Sequence, residues 1–268
     1  MPTAFYELAG PAAFAATPAT AGPWNEQHQH GGPPSALAAR ALELHEPVEA
    51  QRLARVTIDI LGPIPITKLT IATRTVRPGR RISLVEAVMT AGGREVLHAR
   101  GWRLARNTVV PESAAGPAPP PLPAQSSPAH FPGGHMGGYM SAVEWRFLHG
   151  SGFHQPGQGR VWTRPTIPLL AGEEPSAMSR VLLIADSGNG VSAMLDPARF
   201  LFVNVDLTVV LPARSGRRVA VHGRGNDPRG RRGSSGPQHA VGHRRPVRLR
   251  PADPGGRASL TGMPSQGR

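Results

Sequence analysis

"PSALAARALELHEPVEAQRLARVTIDIL", residues 34–61, changes its period halfway along. In its first part Ala36, Leu37, Ala41 and Leu44 recur at three- and four-residue spacings, which predicts a helix over 34–46 with Pro34 in an early helical position. In its second part Val56, Ile58 and Ile60 alternate with polar residues, the period of a half-buried strand. Three further strand-like runs follow, at 66–79, 80–93 and 94–106. The second of them alternates through Ile82 and Leu84, and "RPGRR" (77–81) and "AGGR" (91–94) supply tight turns between them. A helix followed by an antiparallel meander is an α+β unit, and the short apolar pieces "AFYELAG" (4–10) and "AAFAAT" (12–17) precede it.

The same order recurs after a proline-rich break. Residues 109–134, "VVPESAAGPAPPPLPAQSSPAHFPGG", cannot form an interior element and read as a linker. "AVEWRFLHG" (142–150) and "GRVWTRPTIPLL" (159–170) then read as strands. "GEEPSAMSRVLLIADSGNG" (172–190) reads as a helix with acidic residues and Pro175 in its first turn. "RFLFVNVDLTVVL" (199–211) reads as one strongly apolar strand. The organisation is therefore 1–108, linker 109–134, 135–211, and a tail 212–268.

Composition narrows the class. The chain has no cysteine, so disulfides and thiolate metal sites are excluded. No apolar run is long enough to span a membrane, and the N-terminus lacks the basic start and apolar core of a signal peptide, so a cytoplasmic protein is expected. The net charge of +13 would suggest nucleic acid if it were spread over the chain. It is not: residues 212–268 hold 13 Arg and 2 Asp, whereas residues 1–211 hold 17 basic and 15 acidic residues. The body is nearly neutral, and a nucleic-acid reading rests on the tail alone.

Several stretches are similar, in order and spacing, to one family. "GPWNEQHQHGGPPSALAARALE" (22–43), "RPGRR" (77–81), "VEWRF" (143–147), "GEEPS" (172–176), "ADSGNG" (185–190) and "VNVDLTV" (203–209) together resemble the thioesterase-like, acyl-CoA thioesterase II-related double-hotdog family. The resemblance implies two long helices, each wrapped by a curved antiparallel sheet. It also implies hydrolysis of acyl-CoA thioesters in fatty acid metabolism, with no cofactor, and assembly into homo-oligomers through the hotdog sheets. In that family an aspartate on the second-half helix, a threonine on the next strand and a late glutamine hold the attacking water. Asp186 matches the aspartate, and Asn204 falls at the threonine position. An amide there donates two N–H groups where a hydroxyl donates one. The tail holds no stretch resembling the glutamine motif.

The chemistry is self-consistent. A carboxylate that polarises one water, with backbone N–H groups bearing on the developing oxyanion, suffices for a thioester. His30, Gly31 and Gly32, just before the first helix, are the candidate substrate-binding residues, because glycine lets a ligand approach the helix N-terminus. His28 and His30 lack a third metal ligand in the sequence and read as pocket or turn residues; "SGNG" lacks the lysine of a phosphate loop. On turn chemistry alone Asp186 is a turn former; its place near a helix C-terminus opposes the helix dipole and needs a reason. A noncatalytic acyl-CoA-binding protein on the same fold is the alternative function.

The tail, 212–268, lacks a core-forming pattern, which predicts disorder. It also reads as a frame shift. Back-translated from Pro212 and read one base later, its codons permit R-R-D-P-V-G-E-W-L-Y-M-D-A-V-T-I. Farther on they permit a Q-T-L whose glutamine codon spans Ala252 and Asp253. Both resemble the ending of the family. The second hotdog is then expected to be incomplete, with 199–211 left as an exposed apolar edge.

Overall fold

The computed structural model describes residues 2–106, 120–125, 130–149 and 151–211, together with the backbone of 219–222 and 247–248. Most of the linker and most of the tail therefore lie outside the described residues, and so does the expectation of disorder for the tail.

The first half forms β1 (Tyr6–Gly10), β2 (Ala13–Ala16), α1 (Gly32–Leu44), β3 (Gln51–Ile60), β4 (Lys68–Arg77), β5 (Ile82–Ala91) and β6 (Arg94–Ala105). The second half forms β7 (Val143–Phe147), β8 (Arg160–Pro165), α2 (Ala177–Ala185), α3 (Gly188–Val191), β9 (Phe200–Leu201) and β10 (Asp206–Val210). Two short tail strands, β11 (Val219–His222) and β12 (Val247–Arg248), follow. Each half thus carries a central helix and antiparallel strands, the double-hotdog arrangement expected.

The main sheet has seven strands in the order β1-β2-β4-β5-β6-β3-β10, so one strand of the second half extends the sheet of the first. The β5–β6 hairpin closes on a two-residue loop between the paired Ala91 and Arg94. Its Gly92 and Gly93 both take positive φ, 57° and 80°, as the twist of such a hairpin requires. The other second-half strands form a three-stranded sheet, β11-β8-β7, and a pair, β12-β9.

α1 packs against β3, β4, β5 and β6 on one side and against α2 on the other. Gly101 on β6 makes room for it: a Cβ there would lie 3.1 Å from Leu42 and 2.6 Å from Leu53. Being covered on two sides, α1 buries Ala36, Leu37, Ala38, Ala39 and Leu42, whereas Leu44, expected on the core face, is 57% exposed. A similar correction applies to β5. Val85, Ala87 and Met89 face the core, and Ile82, expected inward, is 44% exposed.

Three second-half boundaries also differ from expectation. α2 starts at Ala177 behind the N-cap Ser176, whose hydroxyl accepts from the Ser179 N–H, so Glu173, Glu174 and Pro175 precede the helix. The run 199–211 is not one strand: residues 202–205 separate β9 from β10. β10 is also not a fully open edge, since it pairs with β3 from Asp206↔Asp59 to Val210↔Arg55. Among the described residues it is nonetheless the last strand of its sheet, and Val205 and Val210 remain 55% and 49% exposed. Finally, Phe131, inside the segment read as linker, is buried edge-on between Trp24 and Phe153.

Candidate active site

The N-terminus of α1 meets the C-terminal end of α2. A Cβ on Gly32 would lie 2.1 Å from the Leu183 carbonyl oxygen, so only glycine permits this approach. Farther along, the Ser179 hydroxyl reaches the Ala36 carbonyl at 3.3 Å, which fixes the helices as antiparallel neighbours. All five residues singled out from sequence gather at this junction. His30, Gly31 and Gly32 come from the first half, Asp186 and Asn204 from the second.

Asp186 is the C-cap of α2. Its unfavourable place at that helix end has a counterpart across the junction. The carboxylate lies against Gly31, the N-cap of α1, where a Cβ would be 2.8 Å from Oδ2. The positive end of α1 offsets the negative end of α2.

Asn204 lies in the irregular segment between β9 and β10, not within a strand. Its Nδ2 donates to the Asp186 carbonyl at 2.9 Å and to Asp186 Oδ1 at 2.6 Å. Both amide hydrogens are therefore on Asp186, and Oδ2 is the carboxylate oxygen left facing His30 and Gly31.

The His30 ring is set by three neighbours. Its Nδ1 accepts from the Gly32 N–H at 3.0 Å and stands 3.3 Å from Asp186 Oδ2. Its face stacks on Tyr139, centroids 3.7 Å apart and 7° from parallel. Burial pushes the His30 pKa below its ordinary value, and the nearby Asp186 charge opposes that only in part. The ring is thus neutral with its proton on Nε2, and the 3.3 Å approach is a contact rather than a donated hydrogen bond.

Tyr139 is a site residue that no sequence pattern marks. Its hydroxyl donates to the Leu183 carbonyl at 3.0 Å and so accepts from the Ser187 hydroxyl at 2.7 Å. Burial drives its pKa upward, so it stays protonated. It clamps α2 while supporting the His30 ring. His28 is not at the site; it bridges to Pro65, while Gln29 between the two histidines bonds Tyr6 and the Pro65 carbonyl.

Comparison with known proteins agrees with this architecture. A model of the acyl-CoA thioesterase N-terminal domain matches residues 20–104, and a model of the acyl-CoA thioesterase C-terminal domain matches residues 117–224. The chain belongs to the acyl-CoA thioesterase family. The second match runs past Leu211 and includes β11. No curated protein sequence matches the chain significantly.

Solved structures share its fold. A protein described as a thioesterase from Novosphingobium aromaticivorans is 21% identical, with a TM-score of 0.59 over 77% of this chain and 79% of that one. A conserved protein with a hot dog fold from Alicyclobacillus acidocaldarius is 18% identical, with a TM-score of 0.55 over 76% and 75%. The acyl-CoA thioesterase II TesB2 of Mycobacterium marinum is 13% identical, with a TM-score of 0.52 over 79% and 77%. Among the described residues, no helix is long and apolar enough to cross a membrane.

Proposed function

We propose that this family member hydrolyses an acyl-CoA thioester with a water held on Asp186 Oδ2. The observation that carries the reading is the meeting of the Asp186 carboxylate with the N-terminus of α1 across Gly31. Water on Oδ2 attacks the thioester carbon and passes its proton to the carboxylate. The oxyanion forms at the positive end of α1, where Gly32 N–H is already engaged by His30 and Gly31 N–H is the donor to use. Collapse breaks the C–S bond, and the leaving thiolate takes the proton back as free thiol.

Asn204 has a different role from the one expected. With both amide hydrogens on Asp186 it holds the carboxylate rather than the water. Thiol release from a series of acyl-CoAs tests the reading. The full chain is expected to release thiol, and Asp186→Asn to lose about 1,000-fold in kcat with its fold intact. With the frame restored, tight acyl-CoA binding without release would replace this reading with the noncatalytic one.

We propose further that residues 212–268 are translated out of frame and that this chain is impaired as a result. Supporting this are the abrupt change in charge at residue 212, the family-like text that the codons permit one base away, and the position of β10 as the last strand of its sheet among the described residues. The nucleotide sequence across the codons for Val209 to Arg214 decides it. A one-base insertion or deletion is expected there. Restoring the frame is expected to raise both thiol release and melting temperature, and an intact coding sequence would discard the proposal.

A further inference from the structure

Asn204 can hold Asp186 only if its amide points the right way round, and an amide can sit either way in its pocket. The structure contains what decides the orientation. Asn189, on α3, places Nδ2 3.4 Å from the Phe202 carbonyl oxygen and 3.2 Å from Asn204 Oδ1. The Phe202 carbonyl can only accept, so the Asn189 atom facing it is nitrogen. The Asn204 atom facing that nitrogen is then oxygen, which turns the Asn204 Nδ2 toward Asp186. There it meets two more acceptors, the carbonyl and Oδ1. Carbonyls at both ends give the chain Phe202–Asn189–Asn204–Asp186 a single direction.

A second feature sets Asn189 apart from an ordinary structural residue. Its own Oδ1 is buried with no hydrogen-bond partner among the described residues. A buried carbonyl left unpaired costs free energy that an apolar residue of the same shape would not incur. The short helix that carries it is held in place by packing, since Gly190 lies against Phe131 and Phe153.

We infer that Asn189 is a positioning residue for the hydrolytic reaction: it locks the Asn204 amide so that Asp186 keeps Oδ2 free for water. The inference rests on the thioesterase reading for its effect on rate, but its structural half is testable without turnover.

Asn189→Leu removes the donor and the unpaired carbonyl together. In the full chain it is expected to lower kcat about tenfold with KM unchanged and to change the melting temperature little, since the loss of the unpaired carbonyl offsets the loss of the donor to the Phe202 carbonyl and Asn204 Oδ1. The side-chain amide resonance of Asn204, assigned by its absence in Asn204→Thr, is expected to lose its protection from hydrogen exchange. Asn189→His, which keeps a ring N–H near the same place, is expected to recover part of both. Unchanged Asn204 protection in Asn189→Leu would overturn the inference whatever the activity. Lost protection in a chain that releases no thiol even with its frame restored would sustain the positioning role and count against the thioesterase reading instead.

Discussion

α1 is covered by strands drawn wholly from residues 6–105, six of them consecutive in one sheet. Among the described residues, α2 has no such self-sufficient cover. Its own half supplies β7 and β8, joined by the tail strand β11, to a separate small sheet, and β10 leaves to extend the first-half sheet through β3. The first half is a closed unit on which the second is built. Other joints run the same way. The backbone N–H groups of Phe5 and Tyr6 donate to the carbonyls of Pro168 and Leu169, and Arg40 on α1 makes a two-pronged ion pair with Glu173. The site follows the same division: a rigid helix N-terminus from the first half receives a carboxylate held by loop and helix-end residues of the second.

The largest test of that contrast is a matched pair of cavities. Leu42 on α1 and Leu182 on α2 are both fully buried. Leu42→Ala sits inside a complete cage that cannot collapse, and a loss of about 4–5 kcal/mol is expected. Leu182→Ala lies under a cover of fewer strands that can close around the gap, and about 2–3 kcal/mol is expected. Chemical denaturation of the two variants reads the difference. Equal losses would show that the second half is as tightly caged as the first.

The adjacent glycines at the junction separate structure from chemistry on a smaller scale. In Gly32→Ala the new methyl meets the Leu183 backbone carbonyl, so the helices must part, and about 1–3 kcal/mol of stability is expected to go. In Gly31→Ala the methyl meets the Asp186 carboxylate instead, which swings away from its Asn204 clamp. There the expected result is a fall in kcat of about 100-fold with a nearly unchanged melting temperature. If Gly31→Ala destabilised the fold and spared turnover, the carboxylate's position against α1 would be incidental.

The sequence was most legible where local rules and burial agree. The meander β3–β6 and its Gly92–Gly93 turn follow from alternation and turn chemistry alone. Alternation fails in β5 because both faces carry apolar residues. Ile82 and Leu84 mark the outer face as clearly as Val85 and Ala87 mark the inner, and only the position of α1 decides between them. The run 199–211 misleads for a related reason. Val203 and Val205 look like strand interior, yet the chain bends there to bring Asn204 onto Asp186. Family resemblance alone marks Asn204, and it adds to the odd helix-end position of Asp186; no periodicity points to either. Tyr139 and Asn189 sit among glycines with no pattern at all; each has its role only through partners more than a dozen residues away.

The smallest expected effect concerns pH, and it also tests the junction. His30 is buried with its pKa lowered, so between that value and the ordinary histidine range near 6.5 the unfolded chain binds a proton that the folded chain refuses. Stability from this group is therefore full above about pH 6.5 and declines as pH falls below it. One proton limits the slope to about 1.4 kcal/mol per pH unit. Melting temperatures of the full chain and of His30→Gln, followed from pH 7.5 downward in steps of about half a unit, isolate the contribution. The parent is expected to lose stability faster than the variant below about pH 6.5, with the curves parallel above it. Were the parent instead to gain on the variant as pH fell, the ring would be charged in the fold. Its Nδ1 would then donate to Asp186 Oδ2, and the oxygen assigned to water would already be taken.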